Sequence, residues 1–370
     1  MIPCGHQKID KQDIAEVKKV LESDFLTQGP KVKKFELALA KYAGAKYAVA
    51  CNNGTAAVHL TYLAAGLKPG DQVIVSPNTF ASPVNMLLLM GLKPIFTDIR
   101  LDTYNIDERK IEKLITKKTK AIIPTHFAGQ SAAMDKISKI ARKHKLLVIT
   151  DACHALGAKY KKNKIGSCSY ADMETFSFHP VKPITCGEGG AVLTSDKKLY
   201  QKLILFRNHG IYKDSKGKNV MVELGFNYRL TDFQAALGLS QLKKLDSFIK
   251  TRRQIVKWYQ EEFANLDDII IPQELPENYS GWHIYVIRTT KASDRASLMA
   301  FLKKSGIGAN FHYPAVYSHP YYRRNGFSKT KLANEEIYQS SCITLPIYPD
   351  LKRKQVKYIT DTIRKFYKNK

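Results

Sequence analysis

The sequence predicts an α/β fold with a mostly parallel sheet between helices in a large domain, followed by a smaller α+β domain. Short apolar runs bounded by turn residues alternate with helical patterns through the first half of the chain. A chain of 370 residues is too long for one small core. After residue 230 a long helical pattern begins, and the regular alternation stops. We therefore expect domains at residues 1–245 and 246–370.

Two helices come first. Asp10 is a plausible N-cap for a helix whose apolar face carries Ile14, Val17, Val20 and Leu21. A second helix follows at residues 32–42. The alternating section then predicts strands at 47–51, 71–76, 93–98, 121–126, 146–151, 174–178 and 190–195, and helices at 54–65, 82–90, 107–115 and 134–144. The remainder predicts helices at 231–263, 295–305 and 352–366, and strands at 282–289 and 308–312.

Composition narrows the classes of function. The net charge of +26 raises the question of nucleic acid binding, but the excess lysines are dispersed and no DNA- or RNA-binding motif occurs. No apolar run approaches the roughly 18–20 residues that span a bilayer, and no signal-peptide pattern is visible, so a cytoplasmic protein without a membrane partner is expected. The six cysteines form no CxxC pair and show no metal-ligand spacing; we expect reduced thiols and no metal.

The candidate chemical residues stand at or just after the ends of predicted strands. They are Asn52–Thr55, Phe80, His126, Asp151 and Ser177. Ligands of open parallel sheets bind outside the carboxyl ends of the strands, which meet at one edge. The sequence therefore predicts one shared site at that edge.

Lys182 and Asp151 indicate the chemistry of this site. Lys182 lies shortly after strand 174–178, and Asp151 ends strand 146–151. Pyridoxal 5′-phosphate (PLP) requires an amine that bonds to its aldehyde and a carboxylate that keeps its ring nitrogen protonated. A lysine after an apolar strand is usually a surface lysine, so the prediction depends on the whole set of residues.

The other members of the set fit the remaining parts of the cofactor. Gly54, Thr55 and Ala56 follow a strand and begin a helix, where free backbone N–H groups favour a phosphate. The hydroxyl of Ser177 is a second candidate phosphate ligand. An aromatic ring at Phe80 is suited to stacking on a pyridine ring, and His154 is expected near the ring oxygen.

Several motifs resemble those of one known family. Asn-Gly-Thr-Ala, Asp-Ala-Cys-His-Ala-Leu-Gly, Phe-Ser-Phe-His-Pro-Val-Lys and Gly-Phe-Asn-Tyr-Arg-Leu-Thr-Asp-Phe-Gln-Ala-Ala occur in this order. They resemble motifs of the DegT-type sugar-nucleotide aminotransferases, which are PLP enzymes with the aspartate aminotransferase fold (fold type I). The resemblance extends from Phe25 to Pro349, and is strongest to the 4-aminotransferases of pseudaminic acid biosynthesis.

The resemblance implies a reaction and a partner. The expected reaction aminates a UDP-linked 4-keto-6-deoxy-N-acetylhexosamine, with L-glutamate as donor. The family implies a homodimer with shared active sites, in which Asn227 reaches the cofactor phosphate of the other subunit. Three positions, Asn53, His6 and Ala315, depart from the residues usual in the family. Substrate contacts are expected at His6, Asp24, Phe25, Leu26, Thr27, His312 and Tyr313.

Three alternatives remain open. A viosamine-type 4-aminotransferase would act on UDP- or dTDP-4-keto-6-deoxyglucose. A lyase of the same family would carry histidine in place of the lysine, and Lys182 argues against it. A non-catalytic PLP-binding or nucleic-acid-binding protein is the third alternative, suggested by the net charge of +26.

Overall fold

The structure is a computed structural model that describes residues 1–370. Its helices are α1 Lys11–Leu21, α2 Pro30–Ala43, α3 Gly54–Ala64, α4 Ala81–Leu89, α5 Met134–Lys143, α6 Lys197–Arg207, α7 Asp232–Leu242, α8 Leu245–Phe263, α9 Asp294–Lys304, α10 Pro320–Tyr322, α11 Ala333–Ser341 and α12 Arg353–Lys368. Its strands are β1 Tyr47–Cys51, β2 Gln72–Val75, β3 Lys93–Phe96, β4 Thr119–Ile123, β5 Leu147–Asp151, β6 Lys159–Tyr160, β7 Asn163–Lys164, β8 Met173–Ser177, β9 Gly190–Thr194, β10 Ile211–Lys213, β11 Asn219–Met221, β12 Ile269–Ile270, β13 Asn278–Tyr279, β14 Tyr285–Thr289 and β15 Cys342–Leu345.

A seven-stranded sheet organises the larger part of the chain, in the order β1-β9-β8-β5-β4-β2-β3. The pairs β2–β3, β2–β4, β4–β5 and β5–β8 are parallel. Strand β9 alone is reversed, since it pairs antiparallel with both β1 and β8. The predicted mostly parallel sheet is confirmed, and all strands except β9 end at the same edge.

Both faces of this sheet are buried. Neighbouring residues of one strand belong to different cores: Val49 and Val192 pack on one face, and Ala50 and Ala191 on the other. A strand covered on both faces has no solvent-facing positions, so its sequence is apolar without interruption. This explains why the strands were recognisable from short apolar runs.

A second core forms in the C-terminal part. Helices α8, α9 and α12 pack with the three-stranded sheet β12-β14-β15, around residues that range from Ile255 to Ile363. Ile2 also packs against this core and pairs with Ile307. An α+β C-terminal unit is therefore present, and it includes the first residues of the chain. The division at residues 245 and 246 remains a prediction.

Several predicted elements were wrong. Residues 107–115 form two 3₁₀ turns, because Asp107 bonds both the backbone and the guanidinium of Arg109 and closes a tight turn. Residues 231–263 form two helices that separate at Lys243 and Lys244. Residues 308–312 form only an isolated bridge, because the neighbour of β14 is β15. Helices α6 and α11 and strand β15 were not predicted.

The apolar face predicted for α1 is buried only in part, since Val20 is 2% exposed and Val17 is half-buried. The Asp10 cap is confirmed by bonds from the backbone N–H groups of Gln12 and Asp13. However, Ile14 and Leu21 are 61% and 58% exposed, whereas Asp13 is fully buried. Asp13 is held by Gln241 at 2.7 Å and Lys244 at 2.8 Å. These polar contacts to α7 and to the residue before α8 decide the orientation of α1.

Helix α11 carries a buried carboxyl group without a partner. Glu335 is fully buried, and neither carboxylate oxygen forms a hydrogen bond. Burial raises the pKa of Glu335 well above its usual value, and the neighbouring Asp98 adds to this. The same helix also contacts the segment before α10, because the Tyr338 hydroxyl donates to the carbonyl of His312.

We expect Glu335→Gln to stabilise the protein increasingly as pH rises. A carboxyl with a raised folded-state pKa contributes stability at low pH, and loses it as pH rises above the unfolded pKa and through the folded one. The gap between variant and wild type should widen by at most about 1.4 kcal/mol per pH unit. Denaturant unfolding between pH 5 and pH 9 would measure it, with the exposed Glu22→Gln as control. Parallel curves for wild type and Glu335→Gln would contradict the raised pKa.

None of the helices is both long enough and apolar enough to cross a membrane.

Candidate active site

A cavity of about 520 Å³ lies at the carboxyl edge of the large sheet. Residues from the ends of β1, β2, β4, β5 and β8 form one side of it, and residues of the C-terminal unit form the other. The structure therefore brings together most of the residues that the sequence predicted for one site. The predicted residues that line the cavity are Gly54, Thr55, Phe80, Asp151, His154, Ser177, Lys182, His312 and Tyr313.

Asp151 is oriented by two hydrogen bonds. It is the last residue of β5 and is 7% exposed. One carboxylate oxygen accepts from the Thr79 hydroxyl at 3.3 Å, and the other from the backbone N–H of Cys153 at 3.2 Å. Both donors belong to residues that line the cavity. The carboxylate is thereby held at the cavity without a cationic partner from the protein.

Lys182 lies in the turn that follows β8. Its backbone N–H donates to the carbonyl of His179 at 2.9 Å. Its amine forms neither a hydrogen bond nor an ion pair within the chain. Burial lowers the pKa of Lys182, while the nearby Cys153 and Asp151 act in the opposite direction. A lowered pKa favours the uncharged amine, which is the nucleophilic form.

The N-terminus of α3 provides a cradle for an anion. The backbone N–H groups of Gly54 and Thr55 have no acceptor in the chain, as expected for the first turn of a helix. Asn53 caps this helix by accepting from the N–H of Ala56 at 2.8 Å. A Cβ on Gly54 would lie 2.8 Å from Cβ of Ser177. Only glycine thus allows the hydroxyl of Ser177 to lie beside the two free N–H groups.

Phe80 is an exposed aromatic residue at the rim of the cavity. It is 59% exposed and precedes α4. Its ring meets that of Tyr313 edge-on, with 6.1 Å between centroids. A large part of its face is therefore free to contact a ligand in the cavity.

Three neutral histidines form one wall of the cavity, where His154 from the turn after β5 meets His283 and His312 of the C-terminal unit. His154 and His283 are 4% and 5% exposed, and their ring centroids lie 4.4 Å apart. Nε2 of His154 and the Tyr313 hydroxyl lie 3.1 Å apart and share a hydrogen bond. Burial lowers the pKa of His154 and His283 well below the usual range and that of His312 to about 4. Lys182 also disfavours their protonation, so the wall carries no charge at neutral pH.

Some site residues were missed by sequence reasoning. Thr79 and Thr125 follow β2 and β4, so the rule of strand ends would have found them. The Thr125 hydroxyl is buried without a partner. His283, Asn310 and Ile347 also line the cavity, but they come from the C-terminal unit. Nothing in their local sequence indicated that they would meet the sheet edge.

Other predicted residues do not line the cavity. Ala56 is buried behind the cradle, and its N–H is occupied by Asn53. Asn227 is exposed and pairs with Asn208 through the backbone. The remaining predicted contacts lie on exposed segments near the entrance or beyond it: His6, Asp24, Phe25, Leu26 and Thr27. Their roles stay predictions.

The arrangement fits PLP on three counts. The Lys182 amine has no partner within the chain, the Asp151 carboxylate has no cation, and the Gly54–Ser177 cradle has unused N–H groups. These correspond to the aldehyde, the ring nitrogen and the phosphate of the cofactor. No group of three or more His, Cys, Asp or Glu side chains is placed to hold a metal ion.

Comparison with known proteins decides the family. The model of the DegT/DnrJ/EryC1/StrS aminotransferase family matches residues 7–364. The chain belongs to this family. A family member whose site fits PLP is an aminotransferase that uses this cofactor, and solved relatives at 29% identity exist in PLP and PMP forms. The prediction of a PLP-dependent sugar aminotransferase is confirmed.

Individual relatives are similar to this chain along almost their whole length. A UDP-4-amino-4,6-dideoxy-N-acetyl-beta-L-altrosamine transaminase of Campylobacter jejuni is 39% identical over 98% of this chain and 96% of its own. The PseC aminotransferase of pseudoaminic acid biosynthesis from Helicobacter pylori is 34% identical, with a TM-score of 0.95 and full coverage of both chains. A Streptococcus pneumoniae protein named as a sugar aminotransferase, in its PLP form, is 29% identical, with a TM-score of 0.94 over 100% and 99% of the two chains. The predicted fold type I is thereby confirmed.

Proposed function

We propose that this DegT-family aminotransferase transfers the amino group of L-glutamate to C4 of a nucleotide-linked 4-keto-6-deoxyhexose. The substrate we propose is a UDP-linked 4-keto-6-deoxy-N-acetylhexosamine. The observation that supports it is the 39% identity, over almost the whole chain, to the Campylobacter jejuni altrosamine transaminase. A cytoplasmic location is part of the proposal, since nucleotide sugars are made there.

The site residues have distinct proposed roles. PLP, when bound, supplies the carbonyl group that accepts the amine and the ring that withdraws electrons. Lys182 would hold the cofactor through its amine at rest, and once released this uncharged amine would move the proton of the donor. Asp151 holds a proton on the ring nitrogen. Gly54, Thr55 and Ser177 hold the phosphate, and the wall of neutral histidines contacts uncharged groups.

A homodimer is part of the proposal because one protomer lacks cations at the cavity. Lys182 is the only lysine or arginine among the lining residues. The cofactor phosphate, the carboxylates of glutamate and the diphosphate of the sugar are all anionic, so further partners are needed. Apolar side chains are exposed at Phe25, Leu26, Met221 and Leu224. Contiguous exposed apolar surface is typical of interfaces, and these two pairs of residues, each close in sequence, are candidates for it.

The first experiment is an absorption spectrum with a substrate panel. Purified protein with PLP should be yellow, and L-glutamate should convert it to the colourless pyridoxamine form, whereas D-glutamate should not. The UDP-linked 4-keto-6-deoxy-N-acetylhexosamine should then accept the amino group and restore the colour. If the UDP- or dTDP-linked 4-keto-6-deoxyglucose does so instead, the viosamine-type alternative is correct. A protein that binds no PLP would contradict the reaction itself.

Sharing of active sites can be tested by mixing two defective variants. Asn227→Ala should weaken retention of the cofactor, because the partner's Asn227 would contact its phosphate. Mixed with Lys182→Ala after denaturation and refolding, it should regain activity, because one site of each mixed dimer has both residues intact. The control mixes Asn227→Ala with a Lys182→Ala, Asn227→Ala double variant. Equal activity in the two mixtures would contradict a shared site.

A further inference from the structure

Arg252 is a buried cation without an acidic partner. It lies on α8, is 2% exposed and forms no ion pair with any Asp or Glu. Burial lowers its pKa to about 10, so it remains charged at neutral pH. A buried charge without a counter-ion is costly. A residue of this kind points to a role that a neutral side chain would not fill.

All hydrogen bonds of Arg252 go to backbone carbonyls of two segments at the cavity. Nη1 donates to the carbonyls of Ile347 at 3.0 Å, His283 at 3.1 Å and Trp282 at 3.4 Å. His283 and Ile347 line the cavity. The guanidinium thus fastens two wall segments that are far apart in the chain to one helix.

The segment that carries His283 is also fastened from the large domain. The backbone N–H of His283 donates to the carbonyl of Ala128 at 2.9 Å, and the backbone N–H of Gly281 donates to the carbonyl of Gly129 at 3.0 Å. A Cβ on Gly129 would lie 2.7 Å from the backbone nitrogen of Trp282. The segment is therefore clamped between the turn after β4 and Arg252, which fixes the main chain from which the His283 ring projects.

The position of His283 affects two residues that are predicted to contact the cofactor or the substrate, His154 and Tyr313. Its ring lies against His154, which shares a hydrogen bond with the Tyr313 hydroxyl. Nδ1 of both histidines is buried without a partner in the chain. A displaced His283 would leave space beside His154 and change which way Tyr313 presents its hydroxyl.

We propose that Arg252 is a positioning residue for the amino-transfer reaction, acting through His283 on His154 and Tyr313. The proposal rests on the proposed function, since it concerns how substrate meets that wall. A purely structural role would be a cross-link of the C-terminal unit. Such a cross-link would affect stability, but its effect on substrate binding would not depend on His283.

A double-mutant cycle separates the two roles. Arg252→Gln is expected to lower kcat/KM by about ten- to a hundredfold. Most of this loss should appear as a higher KM for the sugar, because the displaced wall holds the sugar less well. In a His283→Ala background the same substitution should cost less than about threefold. Arg364→Gln is the matched control, since it loses bonds to Glu262 in the same unit without touching the cavity. An equal loss in both backgrounds, or no loss, would overturn the proposal.

A spectroscopic measurement is independent of catalysis. In cofactor-free protein with isotope-labelled histidine, the ring resonance that disappears in His283→Ala should shift in Arg252→Gln and stay in place in Arg364→Gln. An unmoved resonance would overturn the proposal even if the wild type shows no activity on any sugar tested. If Arg252→Gln does not fold, Arg252→Lys replaces it in both measurements, with the same expected signs and smaller changes.

Discussion

Lys182→Ala is expected to abolish amino transfer and to leave the fold intact. The Lys182 amine has no partner in the chain and lines the cavity, so the substitution breaks no hydrogen bond or ion pair. Without it the cofactor is not bonded to the protein, and no base moves the proton of the donor. The loss of proton transfer alone should cost about 10²–10⁴ in kcat. Steady-state assays, with circular dichroism to check folding, would measure it.

Lys182→Arg is the matched control for charge. Arginine keeps a long basic side chain but always stays protonated, so it neither bonds to an aldehyde nor acts as a base at neutral pH. We expect it to be as inactive as the alanine variant, and to lack the colour of lysine-bound PLP. Activity near wild type in either variant would remove Lys182 from its role.

Asp151→Asn is expected to have the second-largest effect. The amide has nearly the same shape and can still accept from the Thr79 hydroxyl, but it carries no negative charge. A ring nitrogen facing it would lose its proton, and the ring would withdraw electrons poorly. Removing one preorganised electrostatic partner of a transition state typically costs about 10²–10³ in kcat. Single-turnover assays with L-glutamate would isolate this half of the reaction.

Two controls make the role of Asp151 specific. Thr79→Val removes only the 3.3 Å hydrogen bond to its carboxylate, and should cost far less. A cofactor analogue methylated at the ring nitrogen carries a permanent positive charge. It should restore activity to Asp151→Asn but bring no gain to the wild type. If the analogue fails to rescue the variant although it binds, Asp151 acts in some other way.

The sheet and its edge were predictable because they depend on local patterns. The runs at 47–51 and 146–149 are apolar without interruption, since both faces of the sheet are covered. Once the strands were placed, the geometry of a parallel sheet brought Asp151, Ser177 and the Gly54 turn to one edge. Both the lysine and the aspartate could therefore be placed at the cavity without knowledge of the order of the strands.

Errors occurred where contacts between distant segments outweighed local pattern. The apolar stripe of α1 predicted burial of Ile14, but Asp13 is buried instead because Gln241 and Lys244 hold it. Residues 308–312 have a strand-like pattern, yet β15 takes the place beside β14. Periodicity shows which residues are apolar, but it does not show which distant segment packs or pairs with them.

The sequence by itself determined the α/β class, the strand ends and the cofactor chemistry, because hydrogen bonding within elements and the alternation of side chains act over a few residues. Only the tertiary structure decided the opposite wall of the cavity, where His283, Asn310 and Ile347 meet the sheet edge. The packing of the C-terminal unit brings those residues there, and the buried guanidinium of Arg252 bonds the backbone of two of them, His283 and Ile347, which lie 31 and 95 positions away in the chain. No local pattern encodes such contacts.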